Sequence, residues 1–132
     1  VIAISSGIAD GMGLGLSARA ALICRGVAEM TRLGTEIGGL RETFVGMSGI
    51  GDLILTATGN LSRNYTLGQK LGRGLPIEEC MPAKGTVAEG VHNAESINAF
   101  ISSYTTFFSN SKSSVFIKGF LAMSTNTSIP SR

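Results

Sequence analysis

The sequence predicts a mainly α fold, and three observations carry that prediction. Most apolar residues recur at helical spacing. Glycines and capping residues fall at the ends of those runs. Segments of strand character are too few for a barrel, a sandwich or a βαβ array. With 132 residues, 43% hydrophobic and 15% charged, the chain suffices for one modest domain and is too apolar to be disordered.

Residues 1–4 form a β-branched apolar run that either ends a strand or leads into a helix. Residues 5–15 read as a small, glycine-rich connector. Ser17 is a candidate N-cap for a long amphipathic helix. Leu22, Gly26, Glu29 and Leu33 share one stripe of it, with Ile23, Val27 and Met30 beside them. Arg19, Arg25 and Arg32 fall on other faces, and Gly34 with Gly38 and Gly39 ends the run. Residues 41–45 allow one helical turn, while residues 46–51 are too glycine-dense for a helix interior. Residues 52–58 are ambiguous: Leu53 to Thr56 favours a strand, and Asp52 as N-cap permits a helix. Ser62 caps a helix over residues 63–71, stopped by Gly72 and Gly74. Pro76 suits the first position of a short helix through Cys80. A last helix starts at Thr86 or Glu89 and carries Val91, Ala94, Ile97 and Ile101.

Composition shifts beyond that point. All but one of the 18 glycines precede residue 91, and no acid follows Glu95. Residues 104–114 keep neither period 2 nor period 3.6. The expected organisation is a helical domain over residues 1–100 and a divergent, poorly ordered tail over 101–132.

Several function classes are disfavoured. A net charge of +2 gives neither a basic stripe for nucleic acid nor a Lys/Arg run for an anionic membrane. No apolar run reaches the ~20 residues of a membrane span. No signal peptide is visible, so the expected location is the cytoplasm, with Cys24 and Cys80 as buried reduced thiols. No metal site is expected, since ligand types at the right spacing are missing.

Four features carry chemistry. Gly11, Gly13 and Gly15 are spaced GxGxG, not GxGxxG, and read as a turn, not a nucleotide loop. Ser62-Arg63-Asn64 lies where a helix begins; unpaired N–H groups and the helix dipole favour an anion there, and Arg63 adds a fork suited to phosphate. From these residues alone an ordinary capped helix with a solvated arginine is the favoured reading. Asp52, after a glycine loop, either orients a hydroxyl or amine or is only a cap. Glu89 reads as a first-turn acid, and His92, the single histidine, as a surface residue.

Taken in order, Gly7, Asp10-Gly11, Gly13-Leu14-Gly15, Arg25-Gly26, Ala28-Glu29-Met30, Arg32-Leu33-Gly34, Gly49-Ile50-Gly51-Asp52-Leu53, Ser62-Arg63-Asn64 and Glu89-Gly90 resemble the C-terminal domain of bacterial-type, NAD(P)-dependent glycerol-3-phosphate dehydrogenases. The resemblance covers residues 1–100. It implies an all-helical substrate domain of the 6-phosphogluconate-dehydrogenase-like type, without the family's Rossmann domain. The implied reaction interconverts sn-glycerol 3-phosphate and dihydroxyacetone phosphate with NAD or NADP, on the route to glycerophospholipid precursors. By the same resemblance Asp52, Ser62, Arg63 and Asn64 contact substrate. Arg63, Val87 and Glu89 contact the cofactor, and a homodimer is the implied assembly. The family's proton-transferring lysine precedes the position of Val1, so no catalytic residue is expected within this chain, and the chain alone is expected to be inactive. Residues 100–132 do not match the family's mixed-charge helices; a reading-frame change would produce such a tail. Two other readings compete: a related hydroxy-acid dehydrogenase, which the phosphate-suited triplet disfavours, and a non-catalytic helical dimerisation module.

Overall fold

In the computed structural model the described residues are 1–80 together with Asn93, Ser96 and Ala99. They contain helices and no strand. The helices are α1 (Ile2–Gly11), α2 (Gly15–Glu36), α3 (Arg41–Val45), α4 (Asp52–Thr58), α5 (Arg63–Gly72) and α6 (Ile77–Cys80), with a π-helical turn at Met47–Gly51. Ile2–Ala88 form one compact unit, and the contacts below lie within it. The expected domain boundary near residue 100 and the tail fall outside the described residues, as do His92 and most of the last predicted helix.

Helix α1 departs most from the sequence reading. Its glycines and serines looked like a connector, yet Ala3, Ile4, Ser5, Ser6, Gly7 and Ala9 are all buried. Each helical glycine costs roughly 1 kcal/mol against alanine. Tertiary contact offsets that cost, because small residues let α1 press directly on α5. Gly7 and Gly11, four apart, meet Gly68 and Gly72, also four apart. A Cβ at Gly68 would stand 2.9 Å from the Gly7 Cα and closer still to the Ile4 carbonyl oxygen. A Cβ at Gly72 would stand 3.0 Å from the Gly11 Cα. The two backbones therefore touch, in the manner of small-xxx-small helix pairs.

The connector shrinks to Met12, Gly13 and Leu14. Leu14 N–H donates to the Ala9 carbonyl at 3.0 Å and Gly13 N–H to Asp10 at 2.9 Å. With Gly13 at φ 71° this is a Schellman end. Gly38 and Gly74 close α2 and α5 in the same way. Gly34 and Gly72, expected as stops, lie inside their helices; Gly34 makes room for the Phe44 ring. Leu14, not Ser17, occupies the N-cap of α2, and it offers no side-chain cap. The Schellman turn of α1 runs directly into α2 and leaves Ser17 exposed within the helix.

On α2 the residues beside the predicted stripe are the ones that pack on the core. Ile23, Val27 and Met30 cover a small core of Ala3, Leu53 and Ala57. Helix α3 forms as expected. Residues 46–51 do not: they wind into a π turn that continues without a break into α4, with Gly51 at φ −61°, ψ −49°. The strand reading of residues 52–58 fails because Leu53 and Ala57, four apart, are the buried pair. The Ser6 hydroxyl donates to the Ala57 carbonyl at 2.7 Å and joins α1 to the last turn of α4. Cys80 is buried, whereas Cys24 is exposed on α2, contrary to expectation. No helix of the described residues is long and apolar enough to cross a membrane.

Candidate functional site

The N-terminus of α5 is the best-formed candidate site. Ser62 is extended at φ −74°, ψ 116°, and its hydroxyl accepts from Tyr65 N–H at 3.2 Å. That is the cap the sequence predicts, and it satisfies one orphan donor of the first turn. The preceding loop is pinned as well. Ser62 N–H donates to Gly59 at 2.9 Å, and the Thr66 hydroxyl donates to the Asn60 carbonyl at 3.2 Å.

Arg63 is exposed at the first helical position. Among the described residues its side chain has no ion pair and its N–H no acceptor. An exposed arginine, a backbone N–H without an acceptor among the described residues and the positive end of a ten-residue helix thus share the first turn of α5. An anion placed there gains from all three. Asn64 follows, half-buried, on the same turn.

Behind this end lies a polar cluster that sequence reasoning missed. Arg19 Nη1 on α2 donates to the Tyr65 hydroxyl at 2.8 Å and lies 3.4 Å from Asp10 Oδ1 on α1. Gln69 Nε2, one turn beyond Tyr65, donates to Asp10 Oδ2 at 2.7 Å. Hydrogen bonds from Gln69 and Tyr65, more than the charges of Arg19 and Arg73, hold the Asp10 carboxyl below its usual range against some burial. Burial, then the bond to Asp10, pushes the Tyr65 phenol up. Arg19 was expected on an outer face; its side chain is only 20% exposed because it reaches back over α1. A signal existed, since Tyr65 and Gln69 share a helix face at i,i+4, but their partners lie 46 to 59 residues away.

Asp52 is exposed on the first turn of α4. It is not an N-cap, because the π turn before it is already helical; the extended residue that precedes this segment is Gly46. Asp52 and the triplet therefore stand at the two ends of α4 and its following loop, and α4 alone spans roughly 10 Å at 1.5 Å per residue. Ser62, Arg63 and Asn64 are brought together on one turn. Val87 and Glu89, expected at the cofactor, lie outside the described residues.

Comparisons with known proteins show the family. The family model described as the C-terminus of NAD-dependent glycerol-3-phosphate dehydrogenase matches residues 1–123. The NAD(P)+ glycerol-3-phosphate dehydrogenase of Methylibium petroleiphilum is 60% identical over 99 residues, which is 75% of this chain and 30% of that protein. That of Cupriavidus necator is 56% identical over 104 residues, 79% of this chain and 31% of that protein. A crystal structure of glycerol-3-phosphate dehydrogenase from Coxiella burnetii superposes with a TM-score of 0.75 at 45% identity, over 79% of this chain and 32% of that one. The chain thus spans about a third of the length of the proteins it matches.

Proposed function

The chain belongs to the family of NAD-dependent glycerol-3-phosphate dehydrogenases, as part of the family's C-terminal domain, and we propose that it supplies the substrate-phosphate subsite of such an enzyme. One observation carries this reading. Ser62 caps α5 while Arg63, exposed and without an ion pair among the described residues, stands at its positive end. A phosphate dianion suits that donor set better than a carboxylate or a neutral group, because a guanidinium fork and a helix terminus both reward concentrated negative charge.

In the complete protein the reaction would interconvert sn-glycerol 3-phosphate and dihydroxyacetone phosphate. The bound NAD(P) supplies the hydride acceptor or donor. The residues of this chain bind and orient. Ser62, Arg63 and Asn64 hold the phosphate, so that the secondary carbinol is presented at a fixed distance from it. Asp52 would contact a substrate hydroxyl or the amine that takes the proton. Arg63, Val87 and Glu89 would hold the nicotinamide side of the cofactor. The described residues contain no dinucleotide fingerprint, and the donors present fit a cofactor contact from one side only. A cytoplasmic homodimer completes the proposal.

The test is Arg63→Ala in the complete enzyme. Loss of a charged phosphate contact costs on the order of 2–4 kcal/mol. It should appear as a strongly raised KM for glycerol 3-phosphate. Unchanged KM and kcat would reject the subsite.

A further inference from the structure

We infer that Tyr65, Arg19, Asp10 and Gln69 are positioning residues that set the pose of Arg63 at the phosphate subsite. The inference rests on the subsite reading above and extends it to groups that touch no substrate. Tyr65 is the hinge of the argument. Its backbone N–H is bonded to the Ser62 hydroxyl, and its ring is only 2% exposed. Its hydroxyl accepts from Arg19 at 2.8 Å. The same residue therefore ties the cap to a charged group on another helix. Gln69 repeats the tie four residues on, through Asp10. Asp10 in turn uses one oxygen for Arg19 and the other for Gln69, so a single carboxylate joins α2 and α5 to α1.

Packing alone does not require this cluster. The glycine pairs already fix how closely α1 and α5 approach. Their nearest neighbours on α5 are backbone atoms from the Tyr65 carbonyl to Gly72, and Arg63 and Asn64 ahead of it are not among them. Partly burying an arginine, a carboxylate and a phenol carries a desolvation cost that an apolar contact would avoid. Its placement two residues from Arg63 puts that cost where a small error in helix position would matter. Anion donors lose strength steeply with distance and angle.

Glycerol 3-phosphate titrated into the complete enzyme that carries this domain, with calorimetry or chemical-shift readout, tests the inference. Tyr65→Phe keeps the ring and removes the hydroxyl. The dissociation constant should rise roughly five- to tenfold, with the melting temperature within ~3 °C of wild type. In an Arg63→Lys background the same change should add less than about twofold, because both variants act on one contact. Asp10→Asn should weaken binding in the same direction and serves if Tyr65→Phe does not fold. Binding unaffected by Tyr65→Phe and Asp10→Asn would overturn the inference. So would a Tyr65→Phe effect that multiplies in full in the Arg63→Lys background. Wild-type enzyme that fails to bind would instead reject the subsite reading, and the inference with it.

Discussion

The sharpest structural prediction concerns Gly68→Ala set against Gly51→Ala. Both glycines have helical backbones, so alanine gains roughly 0.5–1 kcal/mol of propensity at each. Their surroundings decide the sign. A Cβ at Gly51 meets nothing within 4 Å, so the propensity gain survives. A Cβ at Gly68 would stand 2.9 Å from the Gly7 Cα and from the Ile4 carbonyl carbon, and nearer to the carbonyl oxygen. All three neighbours are backbone, so no side chain can rotate away. The helices must separate, which loosens the rest of the α1–α5 contact. Overpacking of this kind costs typically 1–3 kcal/mol and occasionally more. The backbone contact argues for the upper end, leaving a net loss of about 2 kcal/mol after the propensity gain. For a unit of this size that is roughly 8–16 °C in melting temperature. Gly51→Ala should raise it by about 2–8 °C. Thermal unfolding followed by far-ultraviolet circular dichroism reads both. A Gly68→Ala chain as stable as wild type would show that α1 and α5 do not touch through their glycines.

Three further outcomes concern the cap of α5, the Asp10 carboxylate and the two cysteines. Ser62→Ala should cost roughly 1 kcal/mol of stability by urea unfolding, while Ser62→Gly costs only a few tenths; equal losses would mean that the hydroxyl does not cap α5. Asp10 has a folded-state pKa below its ordinary value. Its contribution to stability is therefore fully present above the ordinary carboxylate range, near pH 4, and fades as pH falls through the lower folded value. Asp10→Asn should flatten that acid limb of the melting curve, and an unchanged limb would refute the assignment. Cys24 is exposed and Cys80 buried, with burial first among the causes raising the Cys80 thiol. A thiol reagent should label one cysteine at once and the second only on unfolding; simultaneous labelling would contradict the packing of α6.

What was legible in the sequence divides by range. Ser62 as a cap, Arg63 at a helix start and the helical periodicity of α2 are local patterns, set by residues three or four apart, and the structure reproduces them, although Ile23, Val27 and Met30 beside the expected stripe cover the core. The family motifs were legible for the same reason. Helix α1 was not, because its signal is not apolar periodicity. Its large apolar residues are only Ile2, Ile4 and Ile8, and between and after them lies a face of small residues whose value appears only when Gly68 and Gly72 arrive from sixty residues away. Residues 52–58 misled for a related reason: Leu53 and Ala57 are buried while Ile54 and Leu55 are exposed, so apolar content overstated strand character.

The position of α5 also explains why the triplet and its supports belong to one device. An anion site at a helix end works only if that end is held while charge is brought to it. Three contacts of different kinds hold α5: backbone against the α1 glycines, hydroxyl against Arg19, and amide against Asp10. Two of the three approach along the Tyr65–Gln69 face, and Arg63 lies two residues before Tyr65 on the same turn. Asp10 faces Arg19, so the cluster's opposite charges largely offset each other. The uncompensated charge near the helix end is then that of Arg63 among the described residues. Support and recognition are thereby separated: substitutions in the cluster should change how well the phosphate fits, whereas substitution of Arg63 should change whether it is held at all.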